Sequence, residues 1–327
     1  MARRATSMIN PISNIREVYS IVRQMSFDDV RDAALRVPRV VVIGPTIETA
    51  RQSATDIFGP EAPSRVVALA EDDPLPSYPD VVLVDRRARV DLLRSGANVV
   101  EFSHGDPFDR TRQAVMRSGF DLELPLGRTF PALRRIAALQ VVHGTSRANA
   151  QFALASNIPA LVPVVGGLLA AGADMLVLTK NQLMMLFKLA AVHGQDVDNR
   201  MRIYREMLPV VGAGLFWRTV ARSLAGMMPF AAGAVPKVVI AFAGTYAVGM
   251  AAHVYYAEGT KVTAERMREF YRQALRELRE GPGLARVLPG RFRGGVREPD
   301  PLAPYPVREG GDWGLGFGGD GRSLEIM

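Results

Sequence analysis

The chain has 327 residues, a formal net charge of +7 and no cysteine. Its length is enough for two domains with a buried core, and the missing cysteines exclude disulfide frameworks, thiolate metal sites and cysteine nucleophiles. Its arginines are scattered along the chain and aromatic residues are scarce. Because nucleic-acid-binding proteins usually concentrate their positive charge and interleave it with aromatics, this pattern argues against a nucleic-acid partner.

The first third of the chain alternates between helix-like and strand-like patterns. Residues 8–36 predict two amphipathic helices, with Ser26 and Asp29 as a capping box for the second. The strand-like runs are 39–44, 64–70, 80–85 and 97–103, and the helical stretches between and after them are 47–58, 88–94 and 107–117. Apolar strands separated by helices predict a small parallel sheet with helices on its faces.

Residues 40–59 have the spacing of a strand, a phosphate-binding loop and a helix. A working loop reads G-x-x-x-x-G-K-[ST], but counting from Gly44 its last three defining positions are Thr49, Ala50 and Arg51. The glycines of a dinucleotide-binding turn are also missing. We interpret the stretch as a βα unit kept for packing, with Arg51 as solvated surface rather than an anion ligand.

This stretch nevertheless resembles the first strand, loop and helix of Era-like GTPases. Residues 81–87 resemble the GTPase strand that ends in Asp-x-x-Gly, with Asp85 at the aspartate and Ala88 at the glycine. No Asn-Lys-x-Asp segment for guanine recognition is present. The resemblance implies a GTPase-type domain, and the lost lysine and magnesium ligand predict that it has decayed and binds no nucleotide.

Other catalytic templates are not found in the sequence. The four histidines are isolated along the chain, so no metal site is predicted; they are His104, His143, His193 and His253. His143 and His193 each precede a glycine, which predicts that a helix ends at each. We therefore predict a protein without enzymatic activity, cofactor or metal.

From Pro131 onward the pattern is helical. Residues 131–144 predict a helix with proline in its first turn and glycine just past its end. Strongly apolar stretches follow at 158–179, 208–217 and 238–257. Residues 261–280 predict an amphipathic helix, whose apolar face comprises Met267, Phe270, Tyr271, Ala274, Leu275 and Leu278.

Two of the apolar stretches are long enough to cross a bilayer. Prolines and glycines favour a bent or re-entrant helix for the first, 158–179. The second, 238–257, has a ladder of small residues for close helix contact and a pair of aromatics at its end: Ala243, Ala247, Ala251, Tyr255 and Tyr256. Segment 238–257 is thus a plausible span. Basic residues flank both sides of the first stretch, so a two-span hairpin would place a basic loop across the membrane, and a shallow hairpin or monotopic insertion would avoid this. Membrane association is the expectation, with burial in a soluble helical domain as the alternative.

The same half of the chain resembles the YcjF-type domain of unknown function, a bacterial helical domain found with Era-like GTPases and predicted to lie in membranes. The shared features are the Val-Pro-x-x-Gly-Gly entry at 162–167, the polar run from Asp174 to Gln182, the AAVHGQD turn at 190–196 and a glycine-rich second apolar segment. The resemblance covers about residues 155–258. It implies membrane association and a GTPase context but no catalytic residue.

Together these patterns predict an α/β plus all-α chain in four regions. Residues 1–37 form N-terminal helices, 38–125 a degenerate nucleotide-binding-like α/β domain with a P-loop-like sheet, 126–280 an apolar helical YcjF-type domain, and 281–327 a disordered Gly/Pro-rich tail.

The expected function is that of a non-enzymatic scaffold or regulatory protein at the bacterial cytoplasmic membrane, with its soluble parts in the cytoplasm. Lipid and a protein partner or second copy are the expected partners, whereas nucleotide is not. Asp174, Lys180 and Gln182 are the candidate interaction residues, although capping and solvation at a helix end would also explain them. A divergent nucleotide hydrolase and a soluble helical oligomer remain the alternatives.

Overall fold

The computed structural model describes residues 26–90, 98–119, 121–155, 167–199, 202–203, 205–206 and 234–280. Within its helices, the side chains of 167–176, 234–237 and 279–280 are outside this description. The helix predicted before Ser26, the apolar stretch at 208–217 and the tail from 281 onward also lie outside the described residues.

Four parallel strands form one sheet in the order β2-β1-β3-β4. They are β1 (Val40–Gly44), β2 (Val66–Ala70), β3 (Val81–Asp85) and β4 (Asn98–Phe102). Each strand lies inside one of the predicted runs, so the small parallel sheet and the mixed α/β and helical class are confirmed. The order is the beginning of the 2-1-3-4-5 order of one kind of doubly wound sheet.

Eight helices of seven residues or more surround and follow the sheet within the described ranges. They are α1 (Asp28–Leu35), α2 (Ile47–Phe58), α3 (Phe108–Ser118), α4 (Glu123–Thr129), α5 (Arg134–Ala155), α6 (Gly167–Val192), α7 (Ala234–Glu258) and α8 (Ala264–Glu280). The predicted helices at 47–58, 107–117 and 261–280 are confirmed, and the predicted apolar face of α8 is buried or half-buried against the bundle.

One face of the sheet packs against α2 and α3. Val42 and Leu83 on this face are fully buried, and they share a core with Ile57 and Phe58 of α2 and Met116 of α3. Strands that are apolar on both faces are typical of parallel sheets, in which both faces are covered.

The opposite face is covered by connecting segments. Val41, Ile43, Val82 and Val84 are at most 7% exposed and pack against four side chains outside the core of the first face. Those side chains are Leu69, Leu75, Ala88 and Val90. The helix predicted at 88–94 is wrong for 88–90, which follow a turn closed by the bond from the Ala88 N–H to the Asp85 carbonyl; the rest of it lies outside the described residues.

Two predicted helix ends are also wrong. Ser26 does not form a capping box with Asp29: its hydroxyl accepts from the backbone N–H of Asp28, and α1 begins there. Gly144 does not end a helix, because α5 continues through it to Ala155. The position requires no glycine for close packing, since a side chain there would meet open space. A glycine costs a helix interior only about 1 kcal/mol, which long apolar packing outweighs.

The helix α7 lies at the centre of the bundle, packed against α5, α6 and α8. The predicted ladder of Ala243, Ala247 and Ala251 is buried, with at most 2% exposure. Gly249 completes this close approach, since a Cβ atom there would lie 2.7 Å from Val142 Cγ2 of α5. One continuous cluster of buried side chains runs from the sheet through α4 into the bundle, and the predicted domain boundary after residue 125 falls inside α4.

The three long helices α5, α6 and α7 define two different ends of the bundle. His193, just after α6, contacts His253 near the end of α7, and the guanidinium of Arg134, the first residue of α5, lies beside Gly194. Halfway along, Asn149 of α5 bonds to Thr245 of α7. The end of α5 and the beginnings of α6 and α7 therefore lie at the opposite end. We call these the histidine end and the apolar end.

Candidate functional site

Ligands of doubly wound sheets bind outside the carboxyl ends of the strands, where the strand order reverses; here this point lies between β1 and β3. At the end of β1, Thr46 and Thr49 form a capping box: the Thr46 hydroxyl accepts from the Thr49 N–H at 3.3 Å, and the Thr49 hydroxyl accepts from the Thr46 N–H at 3.1 Å. A Cβ at Gly44 would lie 2.6 Å from the Thr49 hydroxyl oxygen. The helix therefore starts directly against the strand, and two of its first N–H groups are bonded within this turn.

Asp85 ends β3 at the same point, with its side chain 1% exposed. Its carboxylate accepts from the backbone N–H of Arg87 at 3.0 Å and from the Arg87 guanidinium, with Nη2 at 2.6 Å. The hydrogen bonds from Arg87 hold the pKa of Asp85 below its usual value. The negative charge at the expected GTPase aspartate is thus balanced by an arginine of its own turn. Arg51 is exposed on α2, as predicted for solvated surface.

Of the three predicted interaction residues, the structure describes the side chains of Lys180 and Gln182. Lys180 is exposed, whereas Gln182 is half-buried and its amide donates to the Thr245 hydroxyl at 3.3 Å. The side chain of Asp174 lies outside the described residues. Gln182 thus serves helix contact inside the bundle.

That contact belongs to a network that the sequence patterns did not predict. The Asn149 amide donates to the Thr245 hydroxyl at 2.9 Å, and the Asn181 amide donates to Asn149 Oδ1 at 2.7 Å. Asn149 and Thr245 are at most 1% exposed. Buried polar groups need such partners, so a polar residue inside a strongly apolar helix is the signal that predicts a contact, although its partner is set by the fold.

A second polar group fastens α8 to the bundle. The Glu277 carboxylate lies 3.7 Å from His143 Nδ1 of α5 and accepts at 3.2 Å from both the Tyr246 hydroxyl of α7 and the Gln273 amide of α8. Burial raises the pKa of Glu277 and lowers the pKa of His143 to about 4. Both groups are thereby shifted toward their uncharged forms, so the group joins three helices mainly by hydrogen bonds.

His193 and His253 form a pair at the histidine end. His193 follows α6, where Gly194 has φ 77° and the N–H of Gln195 bonds to the Ala190 carbonyl at 3.0 Å. The helix end predicted at His193 is confirmed. These two histidines are isolated in the sequence but not in the structure, where His193 Nε2 lies 3.0 Å from His253 Nδ1. Burial, first of all, lowers the pKa of His193 to about 3 and the pKa of His253 to about 4.

Two further side chains complete what we call the histidine cluster, made of Arg134, His193, His253 and Tyr256. The Tyr256 ring stacks on His193 with centroids 5.9 Å apart. The Tyr256 hydroxyl and Arg134 Nε are both buried and have no hydrogen-bond partner among the residues that the structure describes. The charge of Arg134 contributes to the low pKa of His193. Shifted pKa values and unpaired donors converge here, which is typical of functional sites.

Metal chemistry gains no support from the geometry, since no three His, Asp or Glu side chains converge within the described ranges. No family model matches the chain, and searches of curated proteins and of solved structures find no match. The resemblances to Era-like GTPases and to the YcjF-type domain stay predictions.

Proposed function

We propose that the protein is a non-enzymatic, membrane-associated scaffold that contacts lipid with the apolar end of its bundle. The supporting observation is the difference between the two bundle ends. Beyond Asn181 of α6, which bonds to Asn149, and beyond Thr245 of α7, these helices extend about 21 Å and about 16 Å toward the apolar end, at 1.5 Å per residue. Half of a bilayer's hydrocarbon core is about 15 Å thick, so both helices are long enough to enter one leaflet.

The sequence at the apolar end suits this position. Across the helix ends 150–155, 167–179 and 234–244, the charged residues are Asp174 and Lys237. Segment 156–166, which joins α5 to α6 at this end, contains no charged residue, and segment 207–233, which leads to the start of α7, contains Arg218 and Arg222 but no acidic residue. A charged group at the centre of a membrane helix costs about 2.5–3.5 kcal/mol on insertion scales, so this low charge favours lipid contact.

The α/β part is attached at the histidine end, where it would remain in water. Phe27, next to α1, lies 4.4 Å from Phe187 near the end of α6, measured between ring centroids. Gly127 of α4 lies against Val192, the last residue of α6. A scaffold of this shape would hold the sheet away from the lipid and available to a protein partner.

A role as a scaffold rather than a hydrolase is supported by the carboxyl edge of the sheet. The capping box of Thr46 and Thr49 uses N–H groups that a phosphate loop would direct at its ligand, and Arg87 neutralises Asp85. Charge stabilisation by a lysine and a metal ion is the main catalytic contribution in phosphoryl transfer, and the sequence lacks both the lysine and the metal-binding hydroxyl.

A soluble helical scaffold is the second candidate, because α7 is largely enclosed by protein. Among the described residues, Val238–Glu258 is the one helix long and apolar enough to span a membrane. Of its most apolar stretch, 72% is buried inside the protein. The core helix of a soluble protein has the same properties.

Carbonate-washed membranes from cells producing the full chain test the proposal. Ile240 is half-buried near the apolar end of α7, and Ala257 is exposed at the other end of the same helix. We expect the wild type and Ala257→Glu in the membrane pellet and Ile240→Glu largely in the supernatant, with equal helicity by circular dichroism. A wild type that is wholly soluble and forms a monodisperse oligomer without detergent would establish the second candidate instead.

A further inference from the structure

We propose that the histidine cluster is a binding site for a small oxyanion, with phosphate or a phosphate monoester as the ligand class. This inference is independent of lipid contact, because it rests on the histidine end alone. The site lies where the beginning of α5, the end of α6 and the last turns of α7 meet.

The first argument is the pair of unpaired donors. Arg134 Nε and the Tyr256 hydroxyl are both buried and without a partner among the described residues. A buried donor that has lost its water carries a desolvation cost that a hydrogen bond must offset, and native proteins keep few of them. Both side chains border His193: the Arg134 Nη2 atom is 3.4 Å from the Cβ position at Gly194, the next residue, and the Tyr256 ring stacks on the imidazole. In the proposed site, the oxyanion is the acceptor for both donors.

The second argument is the sign of the surrounding charge. Arg134 and Arg135 act on the two imidazoles and contribute to their low pKa values. Arg128 of α4 lies at the same helix end, where it donates to the carbonyls of Ala191 and Gln195. After burial, the charge of Glu206 contributes to the raised pKa of Tyr256, but this carboxylate is already paired with Arg202 at 2.9 Å. This excess of arginine favours an anion and opposes a metal cation.

The third argument comes from the imidazole pair itself. One of the nitrogens that face each other, His193 Nε2 and His253 Nδ1, must donate to the other. Whichever does, the outer nitrogens of the pair comprise one donor and one acceptor. With the outer N–H of the pair, the proposed site would offer three donors: an imidazole N–H, a guanidinium N–H and a phenol O–H. An oxyanion with three or four oxygens on one centre can accept from all three, whereas a halide can accept only at one atom.

Calorimetry and thermal melting of the purified full chain with sodium phosphate test the site, with sodium chloride at equal ionic strength as the baseline. Tyr256→Phe and Arg134→Lys each remove one unpaired donor, and Tyr255→Phe is the matched control on the neighbouring, half-buried ring. We expect phosphate to bind the wild type and Tyr255→Phe equally and to bind the two cluster variants at least tenfold more weakly.

Tyr256→Phe should separate the stability of the free protein from its stabilisation by phosphate. Without phosphate its melting temperature should equal or exceed that of the wild type, because a buried unsatisfied hydroxyl is removed. With phosphate it should show little of the wild-type increase. A hydroxyl that serves structure alone would instead lower the melting temperature in both conditions, which would overturn the proposal.

A third measurement separates free phosphate from a lipid headgroup. Vesicles of phosphatidic acid should not compete with phosphate, since the cluster lies at the end of the bundle away from the apolar segments. NMR of the His193 and His253 rings should show their pKa values rising when phosphate is added. Phosphate that fails to bind the wild type at millimolar concentration, or that binds Tyr256→Phe and Arg134→Lys as tightly as the wild type, would mean that ordered water or a surface ion satisfies these donors, and would refute the site.

Discussion

The carboxyl edge of the sheet and the interior of the bundle both contain polar groups, but they pair in different ways. At the sheet edge, partners are two or three residues apart, as in Asp85 with Arg87 and Thr46 with Thr49. In the bundle, partners come from distant parts of the chain: Asn149 and Thr245 are 96 residues apart, and His193 and His253 are 60 apart. Local pairs shape a turn, whereas distant pairs fix which helices lie together and at what level.

This difference in pairing indicates which region contains polar groups that local structure does not explain. The hydrogen bonds of the Asp85 carboxylate and of the Thr46 capping box are closed within their own short segments, so local structure alone accounts for these side chains. The histidine cluster draws on three helices and still leaves two donors unpaired among the described residues. Function is therefore better sought at the bundle than at the sheet edge, where fold analogy alone would place it.

The largest expected effect is that the bundle and the sheet lose stability in different pH ranges. His143, His193 and His253 have folded-state pKa values of about 3 to 4, below the unfolded value of about 6.5. The unfolded chain then binds more protons, so the stability that depends on neutral histidine should be lost as the pH falls from 6.5 toward 4. A tenfold change in an acid dissociation constant corresponds to about 1.4 kcal/mol, and the raised pKa of Glu277 opposes part of this loss.

The pKa of Asp85 is also lowered, but from an ordinary value of 3.8. Its contribution should persist to about pH 4 and be lost below it. Hydrogen exchange of α5 and α7 amides, compared with β1 and β3 amides between pH 7 and pH 3, measures both windows. His143→Gln should reduce the response of the bundle, in which His193 and His253 remain, and leave the response of the sheet unchanged. Loss of protection at the same pH in both regions would contradict the distinction.

A smaller effect is expected from the close helix contact at Gly249. Alanine there would place its Cβ 2.7 Å from Val142 Cγ2 and 3.0 Å from Met185 Sδ, and such overpacking costs about 1–3 kcal/mol. Gly244 of the same helix has open space at its Cβ position, so Gly244→Ala should be neutral or stabilise by up to about 1 kcal/mol. Urea unfolding measures both, and equal effects of the two substitutions would show that α5 and α7 do not pack this closely.

The smallest effect is expected at the sheet edge. Thr46→Ala removes the side chain that caps α2 and should lower the free energy of unfolding by about 1 kcal/mol. Thr55→Ala is the control, because that hydroxyl bonds to the Arg51 carbonyl within the same helix, an interaction that adds little to helix stability. If Thr46→Ala is no more destabilising than Thr55→Ala in urea, the capping box does not contribute to the fold.

The sequence predicts the sheet well because each strand is an apolar run bounded by charged or turn-forming residues. It also predicts α2, α3 and α8, whose periodicity and ends are local properties. It fails where long-range packing decides the outcome: α5 passes through Gly144, and 88–90 cover a sheet face without forming a helix.

The candidate sites show the same limit. Gln182 is recognisable as a polar residue in an apolar stretch, but its partner Thr245 lies on another helix. The histidines look isolated because their spacing in the sequence is long. His193 and His253 meet because α6 and α7 both run from the apolar end to the histidine end. The unpaired donors at Arg134 and Tyr256 have no signal in the sequence, because they are defined by burial.

The sheet face covered by connecting segments has a consequence for self-association. A row of four valines crosses this face in register, with Val41 and Val82 buried in the middle and Val67 and Val99, on the two outer strands, 46% and 40% exposed. Leu75 is among the side chains that cover the middle. A cut in its loop would uncover a flat apolar strip beside unpaired strand edges, and such surfaces drive aggregation. The loop between β2 and β3 therefore protects the protein against aggregation through this sheet face.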